Sequence, residues 1–64
     1  MKVRDMIRLL EKDGWIWATT RGSHRQFKHP WKPGKVTVPG GMGEDLHRST
    51  FRSILRQSGL EDRP

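Results

Sequence analysis

The 64-residue chain has no cysteine, which excludes both a disulfide framework and a thiolate metal site as supports for a small core. Supports of that kind matter at this size, because a domain of about 60 residues buries only about 60% of the surface its unfolded chain exposes. A reducing cytoplasm is the expected compartment. Long apolar runs are missing too: in the opening MKVRDMIRLL, Arg4, Asp5 and Arg8 interrupt the apolar residues. That excludes a signal peptide or membrane span there, so the chain reads as soluble with no membrane partner. It shows no internal repeat and no low-complexity linker, and residues 1–64 read as one domain with a polar tail, Glu61 to Pro64, expected to fray.

A third absence is acidic charge in the middle of the chain. No Asp or Glu occurs between Asp13 and Glu44, whereas Arg21, Arg25, Lys28, Lys32 and Lys35 all do. Overall, 13 Lys and Arg against 7 Asp and Glu give a net charge of +6. Such a balance favours a polyanionic partner. A solvated basic face, or an acidic protein partner, fits the charge alone equally well.

Several chemistries are also unsupported. His24 and His29 are five positions apart on one strand, so they point to opposite faces, and His47 is remote; no metal site is expected. There is no Gly-x-Ser-x-Gly elbow, and Ser23 beside His24 has no acid nearby to orient a triad. Phosphate loops and dinucleotide fingerprints are absent, and no cofactor is expected.

What is present falls into five elements. Val3, Met6, Ile7 and Leu10 follow the i, i+3, i+4, i+7 spacing of a buried helical stripe, predicting a helix over 3–13 that ends at Gly14. Its other side carries the basic ridge Arg4, Arg8 and Lys12. Residues 15–20 suit a strand, Arg21-Gly22-Ser23 a turn, and residues 24–29 a second strand. A three-residue loop opposes Thr20 to His24 and Trp17 to Phe27; a two-residue loop opposes Ala18 to Phe27. The first register is preferred because it buries Trp15, Trp17 and Phe27 together, placing His24, Gln26 and Lys28 on the outer face and Arg25, Phe27 and His29 on the inner. Lys35 to Val38 predicts a third strand and Gly40 to Gly43 a loose loop. Thr50 to Ser58 predicts a helix with Ser49 as N-cap, Phe51, Ile54 and Leu55 as its apolar face, and a Schellman ending at Gly59 and Leu60. The fold class is α+β: an αβββα two-layer sandwich whose three-stranded antiparallel sheet carries both helices on one face.

His24 lies on the open face of this arrangement. An imidazole with an ordinary pKa near 6.5 both accepts and donates protons at neutral pH, as RNA cleavage through the 2′-hydroxyl requires. Neighbouring Arg and Lys stabilise charge developing on phosphorus, and outward Gly22 and Ser23 amides would add to it. An ordinary surface histidine remains the alternative on chemistry alone.

Across nearly the whole chain, Gly14-Trp15, Gly22-Ser23-His24, Phe27-Lys28-His29-Pro30, Val36-Thr37-Val38-Pro39 and Thr50-Phe51-Arg52-Ser53-Ile54-Leu55-Arg56-Gln57-Ser58-Gly59-Leu60 resemble the HicA toxins of type II toxin-antitoxin systems. The resemblance implies a double-stranded-RNA-binding-like fold, mRNA cleavage with the family histidine at His24, and a HicB antitoxin that covers this site. DNA would be met only indirectly, through the antitoxin complex. Two departures stand out: Val3 where many relatives carry a Ser or Thr helix cap, and Gly40-Gly41 where relatives often have a histidine after the third strand. Lys28, His29 and His47 are the groups left to assist in its place.

The expected function is a metal-independent endoribonuclease toxin with His24 as acid or base. Lys28 and Arg25 provide electrostatic support, Arg21, Gly22 and Ser23 make backbone contacts, and Arg4, Arg8 and Lys12 are further RNA-binding candidates. The alternative is a non-catalytic RNA-binding module that uses the helix ridge and sheet to read backbone shape. A small protein meeting an acidic partner is a third reading. Trp31 is left open between core, base-stacking platform and antitoxin interface.

Overall fold

The computed structural model describes residues 1–61, so three of the four expected tail residues lie outside the described residues. The elements are α1 (Val3–Lys12), β1 (Ile16–Arg21), β2 (His24–Lys28), β3 (Val36–Val38) and α2 (Arg48–Ser58). The strands form one antiparallel sheet in the order β1-β2-β3. This is the expected αβββα sandwich.

Helix α1 forms because its four stripe residues all find an apolar partner layer. Val3, Met6, Ile7 and Leu10 are buried against Trp15, Phe27, Val36, Val38 and Ile54, with Leu46, Phe51, Leu55 and Leu60 packed around them. Each large side chain so buried contributes about 1.5–3 kcal/mol, so the layer of α1 and α2 over β2 and β3 dominates the stability. The helix ends in a Schellman motif: the Gly14 N–H donates to Glu11 O and the Trp15 N–H to Leu10 O, with Gly14 at φ 102°.

Its start explains the missing Ser or Thr. Lys2 provides no side-chain cap; instead the Val3 N–H donates to Glu44 O at 2.9 Å and the Arg4 N–H to Met42 O at 3.1 Å. Main-chain carbonyls 41 and 38 residues downstream thus satisfy the free donors of Val3 and Arg4. The same bonds correct the expectation of a loose loop at Gly40 to Gly43. That segment is tied down further by Arg25 Nη1 donating to Gly40 O and by the Gly41 N–H donating to Glu44 Oε2 at 3.1 Å.

The hairpin register differs from the expected one. Arg21 pairs with His24, Thr20 with Arg25 and Thr19 with Gln26, then an irregularity at Ala18 restores the Trp17–Phe27 and Ile16–Lys28 pairs. Thr20 therefore does not face His24. The loop is the two-residue Gly22-Ser23, with Gly22 at φ 59° and no positive φ at Ser23, the sign pattern of a II′ turn matched to the twist of a hairpin. One extra residue in β1, taken up as a bulge, reconciles the short turn with the aromatic pair.

Trp17 is not a core residue. All six β1 residues are exposed, and Trp17 is 43% exposed. Alternation put it on the correct face, but β1 is an edge strand lying outside the helical layer. Its ring leans on Phe27 at 6.0 Å between centroids, its Nε1–H donates to Thr20 Oγ1 at 2.8 Å, and the Arg25 guanidinium sits 5.5 Å from it.

Helix α2 begins two residues earlier than expected, and its cap is His47 rather than Ser49. His47 is extended (φ −64°, ψ 146°), and its Nδ1 accepts the Ser49 N–H at 3.2 Å, doing what a serine or aspartate oxygen does elsewhere. The far end is as expected: Gly59 at φ 73°, with the Leu60 N–H donating to Leu55 O. From α2, Gln57 Oε1 accepts the Thr37 N–H at 3.2 Å and so occupies part of the outer edge of β3.

Candidate nucleic-acid interface

The register sorts the side chains of the sheet. Arg25 and Phe27 face the helices, opposite Val38 and Val36. Arg21, His24, Thr19, Gln26, Lys28, Ile16 and Thr37 share the other face, which no helix covers. Gln26 and Thr37 are joined there, Thr37 Oγ1 donating to Gln26 Oε1 at 2.7 Å. That bond fixes the middle of the face as a neutral polar strip between cationic ends.

His24 begins β2, directly after the turn, and is exposed. Directly opposed residues in antiparallel strands have Cβ atoms about 4.5–5.5 Å apart, so Arg21 is its immediate neighbour. This proximity is the main feature that the three-residue register concealed, since it assigned Arg21 to the loop. Among the described residues neither side chain has a hydrogen-bond or ion-pair partner of its own. Two turn residues, Gly22 and Ser23, separate them. No carboxylate comes from the strands that form the face; an anion arriving at His24 meets Arg21 first, with Lys28 on the same face at the far end of β2, about 13 Å along the strand.

The other candidates lie elsewhere. Arg25 is half-buried on the helical side, held by Gly40 O and the Trp17 ring, with its Nε lacking a partner among the described residues. It is not beside His24. Arg4, Arg8 and Lys12 are exposed on α1, in the layer on the far side of the sheet, and Arg8 pairs with Asp5 at 3.6 Å. The eight sequence-derived RNA contacts therefore divide: Arg21, Gly22 and Ser23 lie with His24, Lys28 shares its face at the other end of β2, and Arg25 and the three α1 residues lie elsewhere. Pro39, which follows the residue paired with Arg25, continues β3 beside the His24 end of β2. The neighbouring cavity is lined by Val3, Pro39, Gly40, Glu44, Asp45, Leu46, His47 and Thr50.

His29, at the other end of β2, is already fully engaged. Its Nδ1 accepts the backbone N–H groups of Trp31 and Lys32, both at 3.2 Å, which leaves the proton on Nε2 to be donated to Asp13 O at 2.7 Å. Its ring meets Trp15 edge-on at 5.1 Å and Trp31 at 4.6 Å. Below it, Lys32 Nζ donates to Asp13 Oδ2 and to Ser58 O, joining the C-terminal ends of both helices. The Lys32 ammonium, with a further hydrogen bond from Trp15 Nε1, holds the Asp13 carboxyl below the usual carboxylate range. None of this network was legible in the sequence beyond the assignment of His29 to the inner face.

No helix among the described residues is long and apolar enough to cross a membrane, and those residues contain no cluster of three metal-ligating side chains. A family model described as the HicA toxin of bacterial toxin-antitoxin matches residues 3–60. A search of the curated proteins finds no match.

Proposed function

Given that the chain belongs to the HicA toxin family, and is thus the toxin of a toxin-antitoxin pair, we propose that it is a metal-independent endoribonuclease that cleaves mRNA at His24. The observation that carries this reading is the unpartnered, exposed imidazole of His24 beside Arg21 on an uncovered cationic sheet face. RNA contains its own nucleophile. A neutral His24 takes the proton of a 2′-hydroxyl, the 2′-oxygen forms a bond to phosphorus, and the bond from phosphorus to the 5′-oxygen breaks. The products are a 2′,3′-cyclic phosphate and a 5′-hydroxyl, the latter taking a proton from an acid or from water, so atoms and charge balance with an imidazole in place of a metal-bound hydroxide. Arg21 stabilises the charge on the phosphorane oxygens, Lys28 at the far end of β2 holds the RNA backbone further along the strand, the turn at Gly22 and Ser23 contributes backbone contacts, and Arg25 acts only by holding Gly40.

An antitoxin of the HicB type is the expected protein partner, seated over His24 and excluding RNA; contact with DNA would come through that complex, in the cytoplasm. Arg4, Arg8 and Lys12, on the opposite side, would guide RNA only through long-range attraction. The decisive experiment expresses wild type and His24→Ala without antitoxin and assays the purified proteins on RNA with excess chelator. Growth arrest and cleavage by the wild type alone are expected. Equal cleavage by both overturns the assignment of His24, and RNA binding by both with cleavage by neither turns the protein into a binding module.

A further inference from the structure

We infer that Trp31 is a stacking platform for an unpaired base of single-stranded RNA, an inference that rests on the ribonuclease reading and names the form of its substrate. Trp31 is 78% exposed, the most exposed large apolar side chain among the described residues. Its surroundings are nonetheless rigid. Its ring stands edge-on to His29, which stands edge-on to Trp15, and Trp15 is buried. Its backbone N–H is bonded to His29 Nδ1, and the next residue, Lys32, is fastened to Asp13 and to Ser58 O. Pro30 and Pro33 restrict the chain on either side. The indole is therefore presented to solvent already ordered, so binding through it loses little conformational freedom.

The chemistry of the surroundings selects the occupant. The acid-free stretch between Asp13 and Glu44 contains this whole loop, with Lys28 and Lys35 exposed near its two ends. An aromatic face among cations is how proteins hold single strands: the cations follow the phosphates and the ring stacks on a base whatever its identity. Bases inside a duplex are already stacked on each other and are not available to it. Trp31 lies beyond the Lys28 end of β2 and His24 begins the strand, so the platform and His24 stand at opposite ends of β2 with Lys28 between them in the chain.

The test measures binding of a 12-nucleotide single-stranded RNA, and of the same sequence as a duplex, by anisotropy, using His24→Ala protein to prevent turnover. Adding Trp31→Ala is expected to weaken single-strand binding by about 5- to 100-fold, with duplex binding and Tm unchanged and Trp31→Phe retaining most of the affinity. Unchanged single-strand binding, or an equal loss on the duplex, overturns the inference. Weaker binding to the antitoxin with RNA binding intact also overturns it, making Trp31 a protein anchor. The two readings fail separately: cleavage by wild type with no Trp31 dependence removes only the platform, whereas Trp31-dependent binding by a wild type that never cleaves removes only the ribonuclease.

Discussion

The two ends of β2 carry a histidine each, and the pair shows how one side chain type serves opposite purposes. At the first end, His24 follows a two-residue turn, is exposed, and has no partner among the described residues. At the other, His29 uses both ring nitrogens on backbone groups and both ring faces or edges on tryptophans. A saturated imidazole has no proton free to exchange with a substrate. An unsaturated one contributes little to stability and is free for chemistry.

The largest expected effects follow from removing each ring. His24→Ala should lower RNA cleavage by about 10²- to 10⁴-fold, the usual contribution of a positioned proton-transfer group, while changing unfolding free energy by less than about 0.5 kcal/mol. His29→Ala should show the reverse pattern. It removes three hydrogen bonds, from the Trp31 and Lys32 N–H groups and to Asp13 O, at about 1 kcal/mol each, for a loss of about 3 kcal/mol. In a domain this small that lowers Tm by roughly 12–24 °C, while the folded fraction still cleaves. Thermal unfolding followed by circular dichroism, beside an RNA cleavage assay below Tm, checks both arms; equal stability losses at the two positions would dissolve the contrast.

Glycines next to each end sharpen it with a smaller effect. Gly14 and Gly22 both have positive φ, 102° and 59°, where a side chain costs about 1–2 kcal/mol. Only at Gly14 does a Cβ collide, reaching 2.8 Å from His29 Nε2, whereas at Gly22 nothing lies within 4 Å. Gly14→Ala should cost about 2–4 kcal/mol, because His29 must shift and give up its bond to Asp13 O. Gly22→Ala should cost about 1 kcal/mol. Its stability loss is small, but cleavage should fall, since the turn sets the spacing of Arg21 and His24. Denaturant midpoints and initial cleavage rates measure the two quantities separately.

This contrast was half legible in the sequence. Apolar spacing in α1, the alternation in β2 and β3, and the glycine endings are local signals, and each led to the correct element and face. Strand parity also separated His24 from His29. The hairpin register was not legible, because a three-residue loop and a two-residue loop with a bulge both oppose Trp17 to Phe27. That ambiguity hid the Arg21–His24 pair. Alternation likewise tells which face Trp17 is on but not whether a helix reaches an edge strand. The remaining misses are long-range: the carbonyls of residues 42 and 44 over the start of α1, and Lys32 bonding Asp13 19 positions earlier. No local pattern encodes a partner chosen by the fold.

The smallest expected effect concerns acid, and it again belongs to the His29 end. Asp13 is held below the usual carboxylate range chiefly by its hydrogen bond from Lys32, whereas in the unfolded chain it titrates near about 3.9. A carboxyl with a depressed folded-state value contributes stability that is fully present above the unfolded value and disappears as pH falls through the lower folded value. The stabilising effect of Asp13 should therefore be constant from neutral pH down to about pH 5, begin to fall near the unfolded value of about 3.9, and be gone only once the pH is below the depressed folded value. Asp13→Asn should lower Tm by a few degrees at neutral pH, with the gap to wild type closing in that acid window. Lys32→Met removes the principal cause, so in its background the same substitution should produce a smaller gap and a shallower dependence on pH. A gap that persists unchanged to pH 2.5 would mean that the network under His29 is held by its neutral hydrogen bonds, with the Asp13–Lys32 charge pair contributing nothing.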